Sequence, residues 1–328
     1  MVECREGTPA LAAEMSPFIS SLLSAQLGGA WTVQPVGRSA FCSTWRARPT
    51  GQAASRGDLF VKSASAAQAS LLESEADGLA ALAQAACIDT PAVAGCWVEP
   101  SADVVVLAME WLDLGLPTDA RFGERFGHRL AALHANAQFI GDGRFGWRRD
   151  NWIGGTPQCN RWSERSGLQG WLQFLADERL GAMASRLDAV RAGTELVDGV
   201  RRVIDRLPAL FDDGHVPRAS LIHGDLWTGN WGCLRDGGPV IYDPAVSVSD
   251  PEAELAMMEL FGSPPAGFWP AYREILAVHA GYARRRPLYQ LYHLLNHALL
   301  FGGAYAAQSM HVVDTLLAHR PGSRFDPT

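Results

Sequence analysis

Two short polar runs, each directly after an apolar run, constrain this chain more than any other feature. The first is His223-Gly224-Asp225-Leu226-Trp227-Thr228-Gly229-Asn230, which follows residues 219–222, Ala-Ser-Leu-Ile. The second is Tyr242-Asp243-Pro244, which follows residues 239–241, Pro-Val-Ile. Short apolar runs bounded by turn residues are typical of buried strands. The pattern predicts two strands joined by a hairpin turn at 235–238, with polar groups at their ends that share one site.

The spacing within the first run matches a kinase catalytic loop. In the H-R-D-x-x-x-x-N arrangement of protein kinases an Asn follows the catalytic Asp by five residues, as Asn230 follows Asp225. Asp225 is therefore the predicted acceptor of a proton from a substrate hydroxyl. Asn230 and Asp243 are the predicted ligands of Mg²⁺ on the phosphates of ATP. Gly224 stands where many protein kinases have Arg, which favours a small-molecule acceptor. The alternative is that these Gly, Asp and Asn residues only form turns.

Composition and charge bear on the class of protein and its partners. The chain has 328 residues, of which 48% are hydrophobic and 19% charged, so it is long enough for two lobes. Its net charge of −7 argues against binding to nucleic acid. Its one basic cluster, Arg284-Arg285-Arg286, is expected to be a solvated helix end.

The sequence also bears on the compartment. The N-terminal run Met1-Val2-Glu3-Cys4-Arg5-Glu6 is acidic where a signal peptide is basic, and no segment offers ~18 uninterrupted apolar residues. The six cysteines form no C-x-x-C pair and no zinc-like spacing. We therefore expect a cytoplasmic protein with reduced thiols and no membrane partner.

Strand and helix patterns divide the chain near residue 112. An amphipathic helix is predicted from about Pro9 to Leu27. Strands are predicted at 31–36, 43–47, 58–62, 95–99 and 104–110, with an Ala- and Leu-rich helix at 66–86. After about Leu114 the signals are almost all helical. We expect an α+β, protein-kinase-like bilobal fold. Residues 1–112 would form a nucleotide-binding lobe with a five-stranded antiparallel sheet plus one helix, and 113–328 a mostly helical catalytic and acceptor-binding lobe.

A kinase small lobe needs a Lys for the nucleotide phosphates and a Glu that holds this Lys in place. Lys62 ends the predicted strand Leu59-Phe60-Val61-Lys62, as the lysine of V-A-I-K does. Glu75 lies thirteen residues further on, in the predicted helix, and Glu73 is the rival carboxylate. The alternative is that these are surface charges, the usual state of both residue types.

The end of the fifth predicted strand is the expected adenine site. Backbone groups of Met109, Glu110 and Leu112 are predicted to pair with the adenine edge, so their side chains need no special chemistry. The loop that should cover the phosphates is a poorer match, because residues 36–43 contain only Gly37 and no G-x-G-x-x-G.

Three residues of this loop are still candidates for the phosphates. The Ser39 side chain and the amides of Ala40 and Phe41 are predicted to meet phosphate oxygens. An ordinary hairpin loop would explain the same residues.

These motifs together resemble the fructosamine kinase (ketosamine kinase) family. The resemblance rests on 60–62, 73–75, 109–112, 145–146, 150–158, 223–230, 242–245, 254–256, 261–262, 288–292 and 295–297. It extends from roughly Met15 to Gln308. It implies ATP-dependent phosphorylation of the 3-hydroxyl of ketosamines such as ribulosamine or fructosamine adducts, as in deglycation repair. The chain departs from the family at Arg38-Ser39-Ala40, where a Gly-Gly or Gly-Cys-like run is usual, and ATP affinity depends on that loop.

The acceptor side of the site is assigned from three residues. Trp227 lies two residues after Asp225, where an indole face could stack on a sugar ring. Asn151 and His297 belong to segments that carry the resemblance, and we expect them to bind substrate with Trp227. His293 and His297 are four residues apart on a predicted helix, but they lack the Glu of H-E-x-x-H and are expected in the core or a pocket wall.

Two other functions remain open at this level. One is a kinase of the same fold that acts on an aminoglycoside, choline or another amino alcohol. The other is a non-catalytic nucleotide-binding regulator, although such proteins usually lose the Lys or one of the two Asp residues that this chain has. The expected partner is a small-molecule sugar amine, free or on protein amines, bound by a monomer or homodimer.

Overall fold

The first part of the chain forms a five-stranded antiparallel sheet with the order β1-β2-β3-β5-β4. The structure, a computed structural model, describes residues 9–39, 41–51, 55–117, 121–139 and 141–318, with side chains from Met15 onward. The strands are β1 Ala30–Arg38, β2 Ser43–Thr50, β3 Leu59–Ala64, β4 Val93–Glu99 and β5 Val104–Glu110. All five predicted strands are confirmed.

Alternate side chains of β5 pack on opposite faces of this sheet, and both faces are covered by a helix. Val104, Val106 and Ala108 pack with Ile19 and other residues of helix α1 (Pro9–Leu27) and neighbouring strands. The alternate residues 105, 107 and 109 pack against helix α2 (Ala69–Ala85) on the opposite face. Helix α1 therefore covers the face that the helix between β3 and β4 leaves open.

The rest of the described chain is mostly helical, as predicted. Its helices are α3 Phe122–Ala135, α4 Gly167–Phe174, α5 Ala182–Ala189, α6 Thr194–Asp205, α7 Leu207–Leu210, α8 Pro251–Met258, α9 Phe268–Ile275, α10 Tyr282–Phe301 and α11 Ala304–Ala318. A π-helical stretch, Leu175–Gly181, joins α4 to α5. A lobe boundary at residue 112 stays a prediction.

Three small sheets hold the loops between these helices. Their strands are β6 Leu114–Gly115, β7 Asn151–Ile153, β8 Thr156–Gln158, β9 Ser220–Ile222, β10 Trp231–Leu234, β11 Pro239–Ile241 and β12 Ser247–Ser249. Strand β9 pairs with β12, and β10 pairs with both β11 and β6. A hairpin turn at 235–238 is present, where the Leu234 amide donates to the Gly238 carbonyl at 2.8 Å. The predicted pair of strands is wrong, because this turn joins β10 to β11 and the run at 219–222 forms β9, which pairs with β12 in another sheet. The run 223–230 thus connects β9 to β10, and Asp243 follows β11.

The expectation of a solvated helix end at residues 284–286 is wrong for Arg285. Its side chain is 0% exposed, and its Nε and Nη2 groups donate to the two oxygens of Glu252 at 2.8 and 3.0 Å. It also pairs with Asp213. The first turn of α10 packs against α8, which turns this guanidinium inward to neutralise a buried carboxylate.

Glu252 and two neighbouring residues have ligand atoms close enough to suit a metal ion. Atoms of His215, Asp250 and Glu252 lie within 4.8 Å of one another. Because both oxygens of Glu252 already accept from Arg285, its negative charge is compensated. The cluster is therefore a charge network that joins α8 to α10.

The described cysteines and helices each show one further feature. Five cysteines are described as free thiols: Cys42, Cys87, Cys96, Cys159 and Cys233. Within the described ranges, no helix has the length and apolar character needed to span a membrane.

The burial of Arg285 generates a stability prediction. Arg285→Ala should lower the free energy of unfolding by about 3–5 kcal/mol, because it leaves the Glu252 carboxylate buried and unpaired. Arg286→Ala is the matched control, since the Arg286 side chain is 43% exposed and its loss should change stability by at most about 1 kcal/mol. Urea unfolding measures both. Equal, small losses would show that Arg285 is as weakly coupled as a surface arginine.

Candidate active site

Strand β3 and helix α2 bring Lys62 to Glu75. Lys62 lies opposite Leu107 of β5, so its side chain projects from the sheet face that α2 covers. On α2, Glu75 follows Leu72 by three residues and precedes Leu79 by four, which places it on the face directed at the sheet. The Lys62 Nζ atom lies 2.8 Å from Glu75 Oε1 and 2.9 Å from Oε2. The sequence-predicted partners therefore meet.

The Lys62 ammonium also reaches across to the segment after β11. Its Nζ atom lies 2.8 Å from Asp243 Oδ1. Burial by itself would lower the pKa of Lys62, but the carboxylates of Asp243 and Glu75 outweigh it, so this pKa is raised. Glu73, the rival carboxylate, lies 3.5 Å from Arg149 instead.

The loop that carries Asp225 is held by a His and a buried Glu. His223 Nε2 lies 2.8 Å from the Tyr242 carbonyl, which can only accept, so Nε2 carries the proton. His223 Nδ1 then accepts from the Asp225 amide at 3.2 Å. Burial lowers the pKa of His223, which keeps the ring neutral. The Glu254 carboxylate accepts from the amides of His223 and Gly224.

The geometry of Gly224 explains why this run has His-Gly-Asp. Its φ is +84°, and a Cβ there would lie 2.1 Å from the Ala245 carbonyl oxygen. Both features exclude an L side chain without movement of the backbone. The backbone of this loop therefore requires glycine at position 224. The absence of the arginine that many protein kinases have there is a consequence of this requirement as well as an indication of the acceptor.

Asp225, Asn230 and Asp243 converge as predicted. Asn230 Nδ2 donates to the Asp225 carbonyl at 2.8 Å and to its carboxylate at 3.1 Å. Burial raises the pKa of Asp225 well above its usual range, and the negative charges of Asp243 and Glu254 add to this effect.

The same two side chains suit a divalent cation. Among the described residues, no donor occupies Asn230 Oδ1, and Asp243, at φ +59°, has a half-exposed side chain. Amide and carboxylate oxygens are hard ligands that suit Mg²⁺.

The predicted adenine residues line a cleft of about 260 Å³. It is lined by Phe60, Pro91, Met109, Glu110, Trp111, Leu112, Leu114, Tyr242 and Asp243. The amides of Glu110 and Trp111 donate to the carbonyls of Ala92 and Asp58 at 2.8 and 3.0 Å. In the part of the chain that the structure describes, the Leu112 amide has no such acceptor.

The loop that is predicted to cover the phosphates, called the phosphate-covering loop below, forms hydrogen bonds within itself. Ser39 Oγ accepts from the amides of Phe41 and Cys42 at 3.2 and 3.1 Å. The predicted phosphate donors Ser39 and Phe41 therefore bind each other in this conformation. Ala40, the third candidate, lies outside the described residues.

The three predicted acceptor residues differ in their surroundings. Half-buried Trp227 folds over Gly229, where a Cβ would lie 2.3 Å from the indole ring. Asn151 is buried, and its Nδ2 donates to the Val246 carbonyl at 2.8 Å while its Oδ1 accepts from Gln158. Both polar atoms are engaged within the protein, and a direct contact of Asn151 with the acceptor stays a prediction that this geometry does not favour.

His297 belongs to an aromatic cluster beside the loop. Its ring centroid lies 4.7 Å from that of Phe261 and 4.9 Å from that of Tyr305, and Phe301 completes the cluster. Next to Phe261, a Cβ on Gly262 would lie 2.4 Å from Thr228, so the cluster is close to the residue after Trp227.

The motifs did not indicate that Glu254 would hold the loop that carries Asp225. It follows Gly224 by thirty residues, and no spacing rule links a helix to a loop at that distance. The resemblance included residues 254–256 without assigning them a role.

Comparisons with known proteins show the family to which this chain belongs. The family model described as fructosamine kinase matches residues 15–319. A protein named a probable ketoamine kinase, from Synechocystis sp., is 41% identical over 79% of this chain and 82% of its own length. The chloroplastic protein-ribulosamine 3-kinase of Oryza sativa subsp. indica is 33% identical over 80% and 73%, respectively.

Solved structures share the fold. A candidate fructosamine-3-kinase from Thermobifida fusca superposes with a TM-score of 0.77 at 33% identity, covering 92% of this chain and 99% of that one. Choline kinase LicA from Streptococcus pneumoniae superposes with a TM-score of 0.59 at 15% identity, covering 93% and 99%, which shows the fold alone. The predicted kinase-like fold is confirmed.

The conformation of Gly224 generates a second prediction. Gly224→Ala should lower the free energy of unfolding by at least about 2 kcal/mol, because its Cβ meets the Ala245 carbonyl at a positive φ. Gly57→Ala is the matched control, because a Cβ there has nothing within 4 Å, and it should change stability by less than about 0.5 kcal/mol. Thermal and urea unfolding would show the difference. A neutral Gly224→Ala would contradict the proposed backbone requirement.

Proposed function

Because the chain belongs to the fructosamine kinase family, we propose that it transfers the γ-phosphoryl group of ATP to the 3-hydroxyl of a sugar ketosamine. Family membership makes the chain an ATP-dependent phosphotransferase with a hydroxyl acceptor. The observation that carries the proposal is the convergence of Lys62, Glu75 and Asp243 at one end of the site and Asp225 with Asn230 at the other. The product would be a phosphorylated ketosamine, an intermediate suited to deglycation repair.

The nucleotide would bind in the cleft beside β5. The Leu112 amide, which has no acceptor among the described residues, and the carbonyl of Glu110 would pair with the adenine edge. Met109 and Phe60 would contact the faces of the adenine ring. Lys62, held by Glu75, would exchange Asp243 for phosphate oxygens when ATP enters. The Phe41 amide and the Ser39 hydroxyl would reach the phosphates once their mutual hydrogen bond opens.

Asp243 and Asn230 would hold Mg²⁺, which supplies positive charge to the phosphate oxygens when bound. The donor set fits this ion, as the free Asn230 side-chain oxygen and the exposed Asp243 carboxylate indicate. Release of Asp243 from Lys62 would free both of its oxygens.

Asp225 would orient the acceptor hydroxyl and take its proton. Its carboxylate accepts from Asn230, its amide donates to His223, and Glu254 holds the two preceding amides, so the carboxylate would be held in place. Because phosphoryl transfer has a loose transition state, most of the rate enhancement comes from such positioning and from electrostatics. General base catalysis adds roughly 10²–10⁴-fold.

The acceptor would lie between Asp225 and the aromatic side chains of Trp227 and His297. A ketosamine carries a secondary amine that is protonated at neutral pH, and π-faces attract such a cation. The relatives named ketoamine kinase and protein-ribulosamine 3-kinase support this class of acceptor. The free thiols are consistent with a cytoplasmic location, and the oligomeric state, monomer or homodimer, stays a prediction.

The other functions receive less support. Aminoglycoside and choline kinases share the fold at 13–15% identity, and such similarity says nothing of the acceptor. A non-catalytic regulator is disfavoured because Lys62, Asp225 and Asp243 are all present, with Lys62 Nζ 2.8 Å from Asp243 Oδ1.

The base and metal assignments generate a third prediction. Asp225→Asn should lower kcat at least about 100-fold while Mg²⁺-ATP still binds, because only proton transfer and orientation are lost. Asp243→Asn should weaken Mg²⁺-ATP binding as well. Asp198→Asn is the control, on α6 with a 65% exposed side chain. A coupled ATP-consumption assay and nucleotide titration measure the two effects. More than about a tenth of wild-type kcat in Asp225→Asn would refute the base assignment.

The acceptor assignment generates a fourth prediction. Across ribulosamines, fructosamines, erythrulosamines, aminoglycosides and choline, turnover should be confined to the ketosamines. Trp227→Ala should raise KM for the ketosamine far more than KM for ATP, with some loss of kcat from misplacement of the hydroxyl. Trp162→Ala, at a 42% exposed position, is the control and should behave as wild type. Turnover of a non-sugar alcohol alone would overturn the ketosamine proposal, and equal small effects on both substrates would overturn stacking by Trp227.

A further inference from the structure

A side chain of the phosphate-covering loop contacts the far side of the site. Half-buried Phe41, between β1 and β2, lies against the turn Gly154-Gly155 that joins β7 to β8. A Cβ on Gly155 would lie 2.0 Å from Phe41 Cε1, and one on Gly154 would lie 4.0 Å from Cε2. The ring therefore occupies the space that the missing side chain of Gly155 leaves.

The turn that receives Phe41 is itself held firmly. Asn151 Nδ2 donates to the Val246 carbonyl at 2.8 Å, and Gln158 Nε2 donates to the Ala245 carbonyl at 3.2 Å. The Val246 and Ala245 carbonyls follow Asp243 by three and two residues, respectively. The hairpin β7–β8 is thus attached to the segment that carries the candidate metal ligand.

The loop has side chains where a glycine-rich loop has none, because residues 36–43 contain only one glycine. In a glycine-rich loop, close backbone approach to the phosphates is possible without side-chain obstruction. Here Ser39 Oγ accepts from the amides of Phe41 and Cys42, and the Phe41 ring contacts the hairpin.

We propose that Phe41 is a positioning residue that clamps the phosphate-covering loop onto the Gly154-Gly155 turn and so sets the distance between this loop and Asp243. The proposal rests on the proposed function to the extent that the loop covers ATP phosphates. The clamp acts on the distal phosphates and leaves the adenine cleft unchanged. Loss of the clamp should therefore weaken the binding of nucleotides with two or three phosphates more than the binding of AMP.

The first test compares ADP and AMP binding to the full chain by calorimetry. Phe41→Ala should raise the Kd for ADP about tenfold and the KM for ATP in parallel, because the loop loses its support. The Kd for AMP should stay within about twofold, because AMP lacks the phosphates that the loop meets. A general structural defect would weaken both nucleotides and lower Tm, and that outcome would overturn the proposal.

The second test is a double-mutant cycle. Gly155→Ala should expel the Phe41 ring and reproduce the loss of ADP affinity, and adding Gly155→Ala to Phe41→Ala should cause no further loss. Gly57→Ala is again the control glycine. Additive effects of Phe41→Ala and Gly155→Ala, or an unaltered Kd for ADP in either, would show that the contact does not position the loop.

The two proposals fail in different ways. If the wild type phosphorylates a ketosamine and Phe41→Ala has an unchanged Kd for ADP and KM for ATP, the clamp proposal is refuted and the proposed function stands. If the wild-type protein neither binds ADP nor consumes ATP, both the proposed function and the clamp proposal are refuted.

Discussion

The Lys62 ammonium, shared between Glu75 and Asp243, is the interaction on which the site depends. It ties the sheet, helix α2 and the segment after β11 to one buried cation. Removing a charge from water is unfavourable unless opposite charges compensate it, so the three groups stay together. Helix α2 can approach because Gly78 leaves room for Pro244, where a Cβ would lie 3.0 Å from the proline ring.

A second buried charge holds the loop that carries Asp225. Glu254 is 1% exposed, and its carboxylate satisfies the amides of His223 and Gly224, with His134 Nε2 3.6 Å away. Two charge-assisted hydrogen bonds to adjacent amides restrict the backbone more than one would. Lys62 therefore fixes the side of the site where the phosphates are expected, and Glu254 fixes the side where the hydroxyl is expected.

Local spacing predicted the residues whose partners lie on regular elements. Lys62 ends a strand and Glu75 follows at helical spacing from two core leucines, so their meeting follows from the periods of the two elements. Asp225 and Asn230 are in one short loop, where the interval between them limits their separation. All five sheet strands were predicted for the same reason, since alternation and turn residues are local signals.

The sequence by itself therefore determined the kinase-like fold and the residue types that the chemistry needs, because spacing within a strand, helix or loop dictates which side chains share a face. Only the tertiary structure decided the role of Glu254, the burial of Arg285 and the contact of Phe41 with Gly155. Their partners lie 30, 33 and 114 residues away in the chain. Contacts over such separations depend on how whole elements pack, and no local period encodes that packing.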